Sequence, residues 1–426
     1  MTGPTSTDSV SPAQPGGTTA AREHGSRAAA RRRGPAGSLH IVPRNVWVLS
    51  SISLVVAIGF GVVVPVLPVF AASFGADPLA AGAVVSAFAV MRFVAAPLVG
   101  RADDRFGHRA VLMTGLVVVG VSSALAGTAQ SYAQLIVLRG LGGLGSAMFS
   151  VSGMTVLLAS VGASHRGRAA GLYQGGFLVG AMAGPAVGGL LAGISLRAPF
   201  FFYAGVLGVA ALCALGLTPV ATTKTGERAS AVPLRDVARD PRFRAACLAA
   251  FTQGWNAHGT RMTLVPLFVA GFLANDMVHA ALITGVAMAI AAGVQTALVL
   301  PAGALVDRVG RRGPMIGGAL LLAGALAATP WSPGSVVLTA WLCLYAAGSA
   351  LIGTAPAAAV GDTGGGDRAI AVFTMSGDLG AILGPLAAGA LAGLVGYPTA
   401  FGLGALLWLV TAAAATRMPR SAAPPG

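Results

Sequence analysis

Charge is what this sequence has least of: Asp, Glu, Lys and Arg make up 9% of its 426 residues, against about a quarter in a soluble globular protein. That scarcity excludes a water-soluble enzyme. There are only three cysteines, Cys213, Cys247 and Cys343, each inside an apolar run. They exclude a disulfide framework and read as small buried side chains. Aromatic residues are sparse at 6%, while the chain is 55% hydrophobic, holds 61 glycines and has a mean hydropathy of +0.79. This balance suits helices packed closely in lipid rather than a barrel of short alternating strands.

The formal net charge of +14 would suit nucleic acid if it were spread over a surface, but its placement argues for a membrane instead. Arg22, Arg27, Arg31, Arg32, Arg33 and Arg44 crowd residues 1–44, and Lys224, Arg228, Arg235, Arg239, Arg242 and Arg244 crowd 219–244. Segments of about 18 or more apolar residues, long enough to cross a bilayer, divide the rest into twelve predicted spans. Six lie in 45–218 and six in 245–416, with 1–44 expected to be a disordered tail, 219–244 a linker and 417–426 a short tail. Turns are expected at 101–109, 166–168 and 308–312; together with the tail, the linker and the C-terminus they hold nearly all of the Lys and Arg, whereas the alternate loops hold only Arg197. By the excess of Lys and Arg on the cytoplasmic side, both termini face the cytoplasm. No signal peptide is evident, since more than 40 polar residues precede the first apolar run. The Arg, Ala and Gly bias, with Lys224 the sole lysine, suggests a bacterial source.

The two sets of six repeat one another. Gly100, Asp104, Arg105 and Gly107 recur as Gly303, Asp307, Arg308 and Gly310; Gly180, Gly184 and Pro185 recur as Gly380, Gly384 and Pro385; Pro65 recurs as Pro266. Near-equal offsets of about 200 residues imply a duplicated six-helix unit.

The stretch from Gly100 to Leu112, including Asp104, Arg105, Gly107 and Arg109, resembles the motif joining helices 2 and 3 in the major facilitator superfamily. The stretch from Gly303 through Asp307, Arg308, Gly310 and Arg311 to Arg312 is a second copy between helices 8 and 9. Glycine permits a tight turn there, and an Asp can sit against a neighbouring helix N-terminus. The resemblance implies a latch that holds the cytoplasmic side shut when the protein opens outward. His108 departs from the usual arginine, and the end of helix 4, Val156 to Ser164, lacks the acidic partner often found there. Gly171, Gly180, Gly184, Pro185, Gly188 and Gly189 on helix 5 match the motif that marks antiporters of this family. Gly59, Gly61, Pro65 and Pro68 resemble its first-helix pattern, and Arg139, Gly143 and Gly145 the helix 4 motif whose arginine is associated with proton transfer.

A charge near the bilayer centre costs at least about 2.5 kcal/mol. Arg92, Arg139, Arg261 and Asp378 all lie inside predicted spans. A carboxyl withdrawn from water favours its neutral form, which suits a group that loads and releases a proton. Asp378 is therefore the candidate for proton coupling, with Arg139 or Arg261 stabilising its ionised form; the alternative is a permanent pair that only fixes packing. Three interior arginines against one acid predict a cavity that disfavours polycations and accepts neutral or anionic molecules. Its wall is expected from Phe60, Phe88, Met91, Arg92, Tyr173, Gln174, Trp255, Asn256, Arg261, Gln295 and Met375. His258 has no companions at metal spacing, so neither a metal nor a cofactor is expected.

No phosphate-binding loop and no Ser/His/Asp set is present, so the energy source is a gradient. The sequence thus predicts an all-α membrane protein of two pseudo-symmetric six-helix halves. It is expected to be a monomer in a bacterial cytoplasmic membrane that exchanges protons for a small organic molecule by alternating access. The alternatives are proton-coupled import of a small metabolite and a receptor that does not transport.

Overall fold

A computed structural model describes residues 43–162, 165–218, 234–273, 276–353 and 355–419. Residues 1–42 of the expected N-terminal tail, most of the linker (219–233) and residues 420–426 lie outside the described residues; Arg44, expected to end the tail, begins the first helix instead.

Every regular element among the described residues is helical. The first half comprises α1 (Arg44–Val63) with α2 (Leu67–Ala72), α3 (Pro78–Phe106), α4 (His108–Gly127), α5 (Tyr132–Ala159), α6 (Arg166–Ile194) and α7 (Ala198–Ala214). A short α8 (Leu234–Val237) precedes the second half. There α9 (Pro241–Trp255), a π segment (Asn256–Leu264) and α10 (Val265–Phe272) run in series, followed by α11 (Met277–Val309), α12 (Arg312–Ala328), α13 (Ser335–Ile352) with α14 (Ala355–Gly361), α15 (Gly366–Leu394) and α16 (Tyr397–Thr416). Ten helices are long and apolar enough to cross a membrane. The other two of the twelve spans are α7, which is shorter, and the α9–α10 stretch, which the π segment interrupts.

Short polar signals set the starts. Asp77 caps α3 by accepting from Ala80 N at 2.7 Å, ahead of Pro78 at the first helical position, and Asp276 caps α11 by accepting from Val278 N and His279 N. Glycine sets the corresponding stops: α3 ends at Gly107 with φ +82° and α11 at Gly310 with φ +78°, a conformation that a side chain disfavours. The turns expected over 101–109 and 308–312 are therefore narrower than the charge pattern suggests. Residues 101–106 and 304–309 continue the helices, because Arg and Asp are compatible with a helix and only the glycine breaks it. Proline interrupts the first span of each half, with Pro65 between α1 and α2 and Pro266 just after the π segment.

The halves repeat in packing as well as in sequence. Gly115 on α4 lies against the backbone of Gly145 on α5, and Gly318 on α12 lies in the same way against Gly348 on α13. Without Cβ atoms these helices approach to backbone contact, the closest packing available in lipid. Trp408, Phe200 and Phe401 are fully buried within the bundle. Arg44, Arg109, Arg311, Arg312 and Arg417 fall at one end of the spans, here the basic face, and Asp77, Arg197 and Asp276 at the opposite face.

Candidate functional site

The halves meet along two seams, each pairing helices that run antiparallel. In the first, α3 meets α15. Starting at the opposite face, Gly389 abuts Pro78, Gly82 abuts the carbonyl of Pro385, and Ser86 Oγ donates to Ile382 O at 2.7 Å. The innermost rung is ionic: Arg92 Nη2 donates to Asp378 Oδ1 at 2.5 Å. In the second seam, α6 meets α11, with Gly189 against Leu282 and Gly285, and Gly285 against the carbonyl of Pro185. Both seams are tight toward the opposite face.

Toward the basic face the same helices part. Val94 and Leu98 on α3 are 56% and 53% exposed, while Ile370, Met375 and Leu379 on α15, Gln174 and Phe177 on α6, and Leu298 and Leu305 on α11 are exposed as well. The Arg92 and Asp378 side chains, 41% and 25% exposed, sit where the cleft begins. Arg92 lies at the midpoint of the 29-residue α3, so the pair is at mid-membrane depth and open toward the basic face.

Three more groups gather there. The π segment brings His258 of the seventh span within electrostatic reach of Arg92, Asp378 and its own neighbour Arg261, and Arg261 lies over the ring of buried Tyr345 at 5.8 Å. His258 Nδ1 is 3.1 Å from Gly254 O. The sequence expectation that Arg139 or Arg261 would hold the ionised Asp378 is corrected on this point, because the partner is Arg92. Arg139 is 3% exposed on α5, stacked over Phe88 at 4.7 Å, with its Nε buried and unbonded. It lies within the first half, away from the seam.

The other expected pocket residues divide. Phe60 leans on Phe88 with ring centroids 6.1 Å apart, Met91 packs against Gly140 and Gly143, and Gln174 and Met375 are exposed. Gln295 Nε2 donates to Ser349 Oγ at 3.3 Å, partly buried within the second half. Tyr173 and Trp255 are buried. Asn256, fully buried, donates to Thr252 O and Gly404 O and accepts from Thr260 Oγ1, so it ties the π segment to α16 rather than facing the cleft.

The α6 glycines pack as the spacing predicts at Gly180, Gly184 and Gly188, whose missing Cβ atoms leave room for the α1 backbone at Leu54, Gly61 and Val62. Pro185 sits inside the helix. Gly189 faces α11 instead, and a Cβ at Gly171 would meet open space; Gly176, which the motif does not mark, takes its place, with no room for a Cβ beside Ser50 O. A groove of about 580 Å³ runs between Leu54 and this glycine face, with Arg168 at one end.

At the basic face, the expected acid of the first turn is Asp104, yet Asp104 is exposed and its neighbour Asp103 is buried, accepting from Ser152 Oγ at 2.6 Å with its other oxygen 2.9 Å from His108 Nδ1. Helix phase explains the difference: one residue's rotation turns Asp103 toward α5 and Asp104 to solvent. In the second turn Arg311 pairs with Asp362, just past α14. The Asp307 side chain lies outside the described residues, and Arg308 is exposed. Arg105 stacks on Phe106 at 5.4 Å. Arg109 donates to Leu215 O at 2.8 Å and Arg312 to Met418 O at 3.1 Å, so each half's arginine holds the end of that half's last helix. A cation suits the negative end of a helix. Gly100 and Gly303 meet no neighbour.

The Major Facilitator Superfamily family model matches residues 49–294 and 255–426. The quinolone resistance protein NorA of Staphylococcus aureus (strain MRSA252) is 31% identical over 173 residues, 39% of this chain and 43% of that protein. Multidrug resistance protein 1 of Bacillus subtilis (strain 168) is 33% identical over 159 residues, 37% of this chain and 41% of that protein. Each alignment thus spans less than half of the relative. Among solved structures, a mutant of the nucleoside transporter NupG superposes with a TM-score of 0.69 at 17% identity, over 88% of this chain and 99% of that one, which is a likeness of fold.

Proposed function

The chain belongs to the major facilitator superfamily, and from that premise we propose that it exports small organic molecules from a bacterial cell in exchange for protons. The excess of arginine on one face supports reading it as the cytoplasmic face, with the cleft open to the cytoplasm and both termini on that side. The partial matches to NorA and multidrug resistance protein 1 support a drug-like cargo.

The observation that carries this reading is the Arg92–Asp378 pair at the innermost rung of the first seam. Ionised Asp378 bonded to Arg92 ties the halves in the inward-open arrangement. Cargo that disturbs the pair lets the halves rock to the outward-open form, where Asp378 takes a proton from outside. Neutral Asp378 then returns and loses its proton to the cytoplasm, and Arg92 recaptures the carboxylate. Asp104 and Asp307 belong to the latch that forms only in the outward-open form, which fits the exposure of Asp104 in this one. Arg139 supports the carrier from within the first half.

The test is cargo transport and cytoplasmic pH in proteoliposomes carrying a pH gradient. Wild type is expected to move protons opposite to cargo, and Asp378→Asn to lose gradient-driven transport while still binding cargo. Transport by Asp378→Asn that stays fully gradient-dependent overturns the coupling role. Protons moving with the cargo would reassign the protein as an importer.

A further inference from the structure

His258 on the π segment stands between two charged groups where the cleft begins: the Arg92–Asp378 pair of α3 and α15 on one side and, on the other, Arg261 of its own segment, which rests over Tyr345 on α13. The acid is already engaged by Arg92. Arg261 has no carboxylate partner among the described residues and rests over the Tyr345 ring. A guanidinium placed over an aromatic ring gains a cation–π attraction while its N–H groups stay available to an incoming acceptor. The nearby imidazole adds no negative charge. Walls of low dielectric on either side of the cleft focus the field of this surplus positive charge, which makes it a determinant of what enters.

We propose that the cargo is an organic anion or zwitterion whose anionic group docks on Arg261 and competes with Asp378 for Arg92, its apolar body lying against the aromatic and methionine side chains of the cleft. This inference rests on the transport reading above and deepens it by naming the cargo's chemistry. It also supplies a trigger, because a carboxylate shared between Arg261 and Arg92 weakens the rung that ties the halves. Only a loaded carrier is then released to move, and a cation arriving at Arg261 gains nothing and leaves the rung in place.

The experiment uses a rhodamine carried as its free carboxylate and as its methyl ester, two probes with the same body that differ in one charge. Uptake into proteoliposomes of the full chain is measured under a fixed pH gradient. Wild type is expected to favour the carboxylate by at least about tenfold, the worth of one charge-assisted hydrogen bond. Arg261→Gln is expected to bring the ratio near one, chiefly through the apparent affinity for the carboxylate, and Arg261→Lys to restore part of it. Equal wild-type transport of both probes overturns the inference, as does an Arg261→Gln protein that transports but keeps the wild-type ratio. Should Arg261→Gln fail to insert, Tyr345→Leu, which removes the ring beneath the guanidinium, is expected to lower the ratio as well, and an unchanged ratio there overturns the proposal. Indiscriminate yet gradient-driven transport defeats only this inference, whereas carboxylate preference with a gradient-independent wild type defeats only the proton-coupling reading.

Discussion

The two seams are built on one plan and differ in chemistry. Gly82 against Pro385 and Gly285 against Pro185 are the same contact made twice, a glycine on the second helix of one half receiving a proline carbonyl from the fifth helix of the other. The innermost rung breaks the symmetry. The positions that correspond to Arg92 and Asp378 in the second seam are Gln295 and Leu178, and Gln295 bonds within its own half to Ser349. One seam thus carries an ionic rung where the other has an amide. Among the described residues, the ion pair between the halves therefore lies between α3 and α15 and has no counterpart between α6 and α11.

Overpacking the shared contact has the largest expected effect. Gly82→Val and Gly285→Val each drive a side chain into a proline carbonyl of the opposite half, at a cost of about 1–3 kcal/mol. Both are expected to shift the protein toward the outward-open form, read as greater reactivity of single cysteines placed near Pro78 or Leu282 toward an external thiol reagent. Unchanged reactivity would mean that the seams do not set the conformation. Charge removal comes next and distinguishes the seams: Arg92→Gln is expected to reduce gradient-driven transport by about tenfold or more, as an orphaned carboxylate at depth costs several kcal/mol, while Gln295→Ala changes it by less than about threefold. Equal losses would erase the assigned asymmetry. The smallest effect concerns the caps of the two second helices. Hydrogen bonds from the His279 backbone and ring, and from Val278, hold the Asp276 carboxyl below its usual range. Its stabilisation is therefore present above about pH 4, the unfolded value, and is lost as pH falls through the lower folded value. Asp276→Asn is expected to make the melting temperature of the purified protein slightly less acid-sensitive; an unaltered acid dependence would remove the cap from the argument.

The bundle itself was legible in the sequence because lipid imposes a simple rule: apolar runs of spanning length, arginine on one side, and a glycine and proline pattern repeated about 200 residues on. The residues facing one another across the seams were less legible. Arg92, Arg139 and Arg261 look alike as isolated charges, and which of them reaches Asp378 depends on how two antiparallel helices from different halves register. The clue was present in Gly82 and Gly285, which recur with the same offset as the latch glycines but belong to no familiar motif. Asp103 and Asp104 illustrate a finer limit, since adjacent acids differ by about 100° of helix rotation and only packing decides which is buried. The π segment was invisible, because nothing in Asn256–Leu264 distinguishes an i+5 from an i+4 bonding pattern.

The grip of Arg109 on Leu215 and of Arg312 on Met418 has a quieter consequence for how such a chain can change over time. Both arginines grasp main-chain oxygens, which every amino acid supplies, so the residues being held are under no obligation to stay the same. Leucine in one half and methionine in the other already illustrate that latitude, and substitutions at either place should pass with little penalty so long as the guanidinium that clasps them is kept.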